Sequence, residues 1–482
     1  MKTYQNYIGG RFTDASTRNV VDVFNPASEE QISTVADSSV EDVREAVEAA
    51  ASAQLKWERL PAIQRAGHMR RIASGVREKA EHIARVISEE QGKPLGLARV
   101  EVGFAAEYID YMAEWARRIE GEIVTSDRPN ENIFVFRKPI GVVAGISAWN
   151  FPFFLAVRKM APALVTGNTI IVKPSDQTPN NTVELAKVVA EAGLPAGVFN
   201  VVTGSGSSCG KALTTHPKVG LITFTGSVAT GARIMAAAAN NVTKVNLELG
   251  GKAPAIVLED ADLDLAVQAI KASRVTNTGQ ICNCAERVYV DRKIVDAFTA
   301  KLCATMKTTT YGDPLEDSSI DMGPLMNRHE LERVAGMVDR AVSDGAKVLL
   351  GGKRGNRTKG FYYEATVLGN CRQEMDIVRT EIFGPVVPIV VVDGLDQAIE
   401  YANDSELGLT SSIYTGNLNA AMRACNELRF GETYVNRENF EALQGFHAGW
   451  RKSGIGGADG RHGLYEFMNT HVVYMQHKGA AA

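Results

Sequence analysis

The chain has 482 residues, 45% hydrophobic and 22% charged, a globular composition spread over too long a chain for one ordinary core, so two or three domains are expected. Its 52 basic and 56 acidic residues leave a formal charge of −4. That balance excludes the strongly basic surface of a nucleic-acid or anionic-membrane binder.

At the start of the chain, Met1-Lys2-Thr3-Tyr4-Gln5-Asn6 is followed by no apolar run, so no secretory leader is expected. Residues 41–53 and 62–90 read as amphipathic helices, with Ile63, Ile72, Val76, Ile83, Val86 and Ile87 at helical intervals. Residues 121–137 have the pattern of a hairpin around Asp127-Arg128-Pro129-Asn130. The most apolar stretch, 141–157, is broken by Trp149-Asn150 and Pro152 and is short of the ~20 residues that span a bilayer.

From 140 to 258 short apolar runs at 142–146, 169–173, 198–202, 219–224 and 253–258 alternate with helical patterns near 153–165, 181–193, 207–214 and 229–240. That alternation requires a parallel sheet covered on both faces. A second alternation follows. Helical patterns near 263–275, 293–306, 329–344, 395–402 and 417–427 interleave with strand-like runs at 286–290, 346–350, 386–393, 411–414 and 431–436. Two α/β units therefore meet near residue 250. The tail His471-Val472-Val473-Tyr474-Met475-Gln476 reads as a strand without a local partner, open to pairing with another subunit. The final residues, 479–482, read as a frayed end.

The six cysteines (209, 282, 284, 303, 371 and 425) follow no framework spacing, which predicts reduced thiols in a cytoplasm-like compartment. Cys282 and Cys284 have no second cysteine pair or nearby histidine to complete a four-ligand zinc site. No metal is expected.

Chemistry concentrates in a few segments. Asn246-Leu247-Glu248-Leu249-Gly250-Gly251-Lys252 sets a carboxylate before a glycine pair, and Gly279-Gln280-Ile281-Cys282-Asn283-Cys284 sets a thiol after a helix. A thiol can make a thioester and a carboxylate can activate the water that releases it. Taken singly, Cys282 is equally a buried structural cysteine and Glu248 a charge-paired or solvated glutamate. Two glycine-bearing turns, Gly204–Gly210 and Phe224–Gly231, follow strand-like runs, and either can bring a helix N-terminus to a phosphate. Lys173-Pro174-Ser175-Asp176 ends another run, where a lysine can bond ribose hydroxyls and an acid can take a 2′-hydroxyl while repelling a 2′-phosphate. Trp149-Asn150-Phe151-Pro152 offers a side-chain amide to an oxyanion.

Read together, these segments resemble the NAD(P)-dependent aldehyde dehydrogenase superfamily from about residue 5 to the C-terminal strand. The resemblance is carried by Trp149-Asn150-Phe151-Pro152, Lys173-Pro174-Ser175, Phe224-Thr225-Gly226-Ser227, Leu247-Glu248-Leu249-Gly250-Gly251-Lys252, Gly279-Gln280-Ile281-Cys282 and Glu381-Ile382-Phe383-Gly384-Pro385. It implies an α/β fold of two Rossmann-type domains plus a small β oligomerisation element. Residues 1–120 and 140–250 would bind NAD, with 453–468 packing on them. Residues 251–452 would form the catalytic domain, and 121–139 with 469–482 would assemble a homo-oligomer, a tetramer or dimer.

The resemblance also implies roles. Cys282 attacks the aldehyde, Asn150 and the Cys282 amide hold the oxyanion, and Glu248 activates water and helps deprotonate the thiol. Ser147, Trp149, Lys173, Ser175, Asp176, Gly226, Ser227, Gly231, Glu248, Arg333, Glu381 and Phe383 would surround NAD, Lys173 counting also among the catalytic set. Relatives commonly carry Glu where Asp176 stands; the shorter acid still favours NAD and leaves NADP open. Glu248 speaks against the acyl-CoA-forming branch, which lacks that base.

One departure concerns the substrate. Many relatives read Pro-Phe-Gly-Gly where this chain has Gly445-Phe446-His447-Ala448-Gly449, and the preceding Asn436–Glu441 segment is unusually charged. Glu441 and His447, with Arg158 and Asn283, would line a polar pocket that rejects apolar substrates. These segments look most like lactaldehyde/glycolaldehyde dehydrogenases, with a small hydroxyaldehyde as substrate. A semialdehyde dehydrogenase, in which Arg158 pairs with a distal carboxylate, is the alternative within enzymes. A non-catalytic relative is opposed by intact Cys282, Glu248 and Asn150. A nucleotide-free thiol hydrolase is opposed by the absence of a histidine visibly placed to pair with Cys282.

Overall fold

The computed structural model describes residues 2–478. Two twisted sheets organise it. The first has eight strands, and its five parallel members lie in the order Lys244–Glu248, Val219–Thr225, Val142–Ile146, Thr169–Lys173, Phe199–Val201. Val142–Ile146 and Thr169–Lys173 are buried throughout, and apolar clusters pack on both faces of the sheet, as parallel strands require. Chain order reverses between Val142–Ile146 and Val219–Thr225. That reversal opens a crevice at the C-terminal ends of the strands, where open α/β sheets take ligands. Gly454–Ile455 closes one edge antiparallel to Lys244–Glu248, and Asn6–Ile8 with Arg11–Thr13 closes the other.

The second sheet has seven strands. Six are parallel, in the order Thr366–Cys371, Val386–Val392, Ala285–Asp291, Ala253–Val257, Thr410–Tyr414, Glu432–Val435, with Lys347–Leu350 antiparallel at one edge. Its two faces carry separate apolar clusters. The chain passes between the sheets at 249–252, so the C-terminal end of Lys244–Glu248 faces the starts of Ala253–Val257 and Ala285–Asp291. Among the described residues no helix is long and apolar enough to cross a membrane.

Several sequence expectations are corrected. The 62–90 helix is two, Ala62–Glu78 and Ala80–Gln91, divided where Lys79 leaves helical geometry at φ −102°, ψ 11°. The 253–258 run belongs to the second sheet, not the first. The first sheet's own outermost parallel strand, Lys244–Glu248, escaped notice because it alternates polar and apolar residues; its Asn246 amide is buried against the Gly457 carbonyl at 2.9 Å. The tail strand has no partner near it in the chain and finds a distant one. Met468–Gln476 pairs antiparallel with Glu131–Pro139, which also pairs with Glu122–Thr125, making a separate three-stranded sheet. The helix Leu95–Glu114, the strand Thr366–Cys371 and five short N-terminal strands were not foreseen. The expected frayed end, 479–482, lies outside the described residues.

The helix Pro152–Thr166, which follows the Asn150 turn, is buried along its whole length. Its first turn is held by Glu101 of the helix Leu95–Glu114, whose Oε1 accepts from the Phe153 and Phe154 amides at 2.9 and 3.0 Å. The other oxygen takes a fully buried Lys93 ammonium at 2.5 Å. Replacing Glu101 by Leu strands that charge and two backbone donors. Urea denaturation of Glu101→Leu should show a loss of about 3–5 kcal/mol; a loss under about 1 kcal/mol would show that the pair does not hold the turn.

Candidate active site

Cys282 sits in a loop that the backbone has to force into shape. After the helix Leu263–Val275, Asn277, Thr278 and Gly279 take φ of 49°, 60° and 73°. Two of these are strained left-handed non-glycine residues. Their neighbours fix them: the Asn277 amide donates to the Asn150 carbonyl at 3.1 Å and the Thr278 hydroxyl to the Gly323 carbonyl at 2.9 Å. Gln280 bonds the Asn277 carbonyl at 3.0 Å and accepts the Met326 amide at 2.9 Å. A Cβ on Gly279 would enter the Gly384 carbonyl. The Gly-Gln pair before the thiol therefore builds the loop.

Cys282 is partly exposed, whereas Cys284 is buried with its sulfur 2.9 Å from the Arg274 guanidinium. Burial pushes the Cys284 thiol up to about 12 despite Arg274, which leaves it inert at neutral pH.

The glycine pair after Glu248 exists for close approach. A Cβ on Gly251 would strike the Cys282 carbonyl oxygen, and one on Gly250 the Glu381 carboxylate. Glu381 Oε1 accepts the Gly251 amide at 2.9 Å. Glu248, at the end of its strand, is buried, and neither carboxyl oxygen has a hydrogen-bond partner among the described residues. Burial raises its carboxyl to about 7, partly offset by His447, Arg158 and Lys159. The Asn150 amide donates to the Gln280 carbonyl at 3.0 Å, two residues ahead of Cys282.

One cavity of about 550 Å³ joins these groups. Cys282, Glu248 and Asn150 line it together with Trp149, Gly226, Ser227, Arg333, Glu381 and Phe383, and with Arg158, Asn283, Glu441 and His447. Ser227 caps the helix Val228–Ala238, its hydroxyl accepting the Thr230 amide at 3.3 Å, and presents that helix start to the cavity. Trp149 and Phe383 meet edge to face at 5.4 Å. Arg333 donates to the Glu381 and Ile382 carbonyls at 3.3 and 2.7 Å.

Five expected residues lie outside the cavity lining. Lys173 is buried at its strand end and donates to the Pro174 carbonyl at 2.9 Å, and the Ser147 hydroxyl is buried without a partner among the described residues. Ser175 and an exposed Asp176 continue that strand end, and Gly231 packs under Leu249. Of the two glycine-bearing turns, Thr225-Gly226-Ser227 reaches the cavity. The other packs against Asp37, whose carboxylate accepts the Ser205 amide at 3.3 Å.

The polar wall is an ion network. Arg158 Nε donates to Asp459 Oδ1 at 2.9 Å, a second guanidinium nitrogen closes on Asp459 Oδ2, and a third lies 3.5 Å from Glu441. Asn283 donates to the other Glu441 oxygen at 2.5 Å. His447 does not stay at the rim. Its Nδ1 meets Glu432 Oε1 at 2.8 Å, and its Nε2 stands 3.6 Å from Glu248. The sequence reading found no histidine for Cys282; the fold brings His447, 165 positions further along the chain, into the lining of the same cavity.

Asp459, Glu432 and Lys159 were missed. Lys159 donates to the Thr225 hydroxyl at 2.7 Å, and burial lowers its ammonium to about 7. Two adjacent cations in an otherwise apolar helix were the available signal for buried partners.

The chain belongs to the aldehyde dehydrogenase family, whose profile matches residues 12–473. It is 59% identical over 470 residues to the lactaldehyde dehydrogenase of Escherichia coli K12, covering 98% of each chain. It is 45% identical to the 3,6-anhydro-alpha-L-galactose dehydrogenase of Vibrio sp. strain EJY3, covering 98% of this chain and 99% of that one. The crystal structure of Escherichia coli lactaldehyde dehydrogenase superposes with a TM-score of 0.97 at 58% identity, over 98% of this chain and 99% of that one. A 3,6-anhydro-L-galactose dehydrogenase solved in complex with NAP superposes at 0.96 with 43% identity, over 98% of this chain and 100% of that one. The chain is thus an oxidoreductase of aldehydes that uses a nicotinamide dinucleotide.

Cys282→Ala should abolish aldehyde oxidation, while Cys284→Ala keeps it within about threefold, because a buried, protonated thiol contributes packing alone. Steady-state rates of both variants check this, and the reverse pattern would move the nucleophile to Cys284.

Proposed function

We propose that the enzyme oxidises a small hydroxyaldehyde, lactaldehyde or glycolaldehyde, to its carboxylic acid with NAD. The observation that carries the substrate class is the Asp459–Arg158–Glu441–Asn283 network. Asp459 already fills the guanidinium fork, so a distal substrate carboxylate would have to displace a buried partner and then face Glu441. A neutral hydroxyl instead finds an acceptor in Glu441 and donors in Asn283 and Arg158, and an apolar aldehyde would leave them unpaired. The relative at 59% identity is itself named for lactaldehyde.

Cys282 adds to the carbonyl carbon, and the Asn150 amide with the Cys282 N–H holds the oxygen as it becomes negative, each such donor being worth ~2.7–4 kcal/mol in the barrier. When bound, the dinucleotide accepts the hydride that leaves the thiohemiacetal carbon. Glu248, ionised and unpartnered, takes a proton from the water that attacks the remaining thioester.

The residues present fit that cofactor. Gly226 lacks a Cβ that would press on Phe224, the helix behind Ser227 offers its N-terminal dipole, and Ser147 has an unpaired buried hydroxyl. Lys173, Ser175 and Asp176 would hold the adenosine ribose, with Gly231 keeping Leu249 close. Trp149, Arg333, Glu381 and Phe383 would enclose the nicotinamide side. The exposed Asp176 carboxylate disfavours a 2′-phosphate, hence NAD over NADP.

Six unbridged cysteines support a reducing, cytoplasmic setting. Exposed Ile123, Phe136 and Tyr474 on the small three-stranded sheet support assembly into a dimer or tetramer.

Initial rates with lactaldehyde, glycolaldehyde and succinate semialdehyde, each with NAD and NADP, test the reading. The hydroxyaldehydes should lead in kcat/KM by about tenfold or more, with NAD ahead of NADP; a lead for the semialdehyde rejects the substrate class.

Glu248→Gln should release a rapid burst of NADH followed by slow turnover, and an undiminished steady state would remove Glu248 from deacylation. Its carboxyl, raised to about 7, acts as a base only when ionised. Deacylation-limited turnover should therefore rise with pH through about 7 and fall about tenfold per unit well below it, a limb absent from Glu248→Gln.

A further inference from the structure

Asn150 and the loop that carries Cys282 belong to different α/β units, and one buried lysine touches the supports of both. Asn150 sits in a turn that has no cap of its own. Phe151 stands at the N-cap of the helix Pro152–Thr166 and offers no side-chain acceptor. Glu101 supplies the missing acceptor from another helix, taking the Phe153 and Phe154 amides on Oε1. Its second oxygen receives Lys93 at 2.5 Å, and the Lys93 ammonium also lies 3.7 Å from the centroid of the Phe151 ring. The Lys93 side chain therefore holds the turn after Asn150 from two directions.

The main chain at Lys93 supports the other half of the site. Gly92, the residue before it, has φ 79°, and a Cβ there would enter the Pro324 and Pro26 rings. A Cβ on Gly323 would in turn strike the Gly92 carbonyl oxygen. The two glycines let the Gly92-Lys93 and Gly323-Pro324 segments meet backbone to backbone. The Gly323 and Pro324 carbonyls are the ones that accept from Thr278 at 2.9 Å and from Gln280 at 3.3 Å, so they carry the strained loop before Cys282. The two halves then join directly. The Asn150 side-chain amide donates to the Gln280 carbonyl at 3.0 Å, and that of Asn277 to the Asn150 carbonyl at 3.1 Å. A side-chain amide has two N–H donors; Asn150 spends one on Gln280, and the direction of that bond fixes the other.

We propose that Lys93 is a positioning residue for the oxidation: by gripping Glu101 and Phe151 with its side chain and the Gly323-Pro324 segment through Gly92, it sets the second Asn150 N–H against Cys282, where the oxyanion forms. A fully desolvated ion pair brings little net stability, which leaves placement as its contribution. Lys93 reaches the reacting atoms only through Asn150 and the thiol loop.

The inference rests on Asn150 being the oxyanion donor. Its readout is the NADH formed in the first turnover, followed by stopped flow with lactaldehyde and with succinate semialdehyde, so it stands whichever aldehyde the enzyme prefers. Lys93→Met should lower the saturating first-turnover rate by at least about tenfold. The half-saturating concentrations of aldehyde and NAD should stay within about threefold. In an Asn150→Ala background the same substitution should cost less than about twofold, because the donor it positions is gone. The paired variant Lys93→Met/Glu101→Gln strands no charge and keeps an acceptor for the Phe153 and Phe154 amides; should Lys93→Met not fold by its melting curve, the pair decides by the same criteria. A smaller loss in a folded variant, a change confined to the half-saturating concentrations, or a comparable loss without Asn150 would overturn the proposal and leave the oxyanion assignment standing. If Asn150→Ala alone keeps the wild-type rate, the assignment itself falls, and the proposal with it.

Discussion

The site depends on one buried carboxylate that takes no part in the chemistry. Glu286, second residue of the strand Ala285–Asp291, receives Lys252 at 2.8 Å and Arg274 at 2.6 Å, and accepts the Ile382 and Phe383 amides at 2.8 and 3.1 Å. Burial works against its ionisation, but Arg274 and Lys252 overcome it and hold its carboxyl down at about 2. Four chain segments converge there: the strand that follows Cys282, the passage between the sheets, the helix before the thiol loop and the loop carrying Glu381 and Phe383. Such a cluster is a poor source of net stability, because the charges must be desolvated. What it supplies is position, since misplacing any one of these segments would leave a charge or an amide unpaired.

A second network works by the same logic on the substrate side. Arg158 is tied to Asp459 and faces Glu441, and Glu441 is tied to Asn283, the residue after Cys282. The wall is nearly self-neutralised, so it is poised for a polar, uncharged guest. Had Asp459 been absent, Arg158 would be an open fork for a carboxylate. On the proposed reading, one buried acid supplied by the C-terminal segment therefore sets which substrate charge the pocket accepts.

The sequence exposed the reaction more readily than the pocket. Groups that must sit on one chain segment in a fixed order leave local marks. Gly250-Gly251 marks the place where Cys282 and Glu381 come too close for any Cβ, and Gly279-Gln280 marks the strained loop before the thiol. Short apolar runs were equally legible for most strands buried on both faces, Thr366–Cys371 being an exception. Lys244–Glu248 broke that pattern, because its polar residues find their partners in the distant 453–468 segment. Asp459, Glu432 and the placement of His447 beside Glu248 were hidden for the same reason. Each is defined by a partner far along the chain, and no local periodicity encodes such a pair.

Glu248 shows why the remaining freedom matters. Buried polar atoms in folded proteins are nearly all paired, and the exceptions need a reason. A carboxyl raised from about 4.5 to about 7 carries roughly 3 kcal/mol against ionisation, which a structural residue would shed by finding a donor. Here several neighbouring donors are turned elsewhere: Lys159 to Thr225, Arg158 to Asp459 and Glu441, Asn150 to Gln280, while His447 Nε2 stands 3.6 Å away. The fold thus leaves the Glu248 carboxyl without a close donor among the described residues. In the proposed deacylation, a base held near neutral pH and facing a cavity takes a proton from water, and gives it up again to solvent, without a large penalty in either direction.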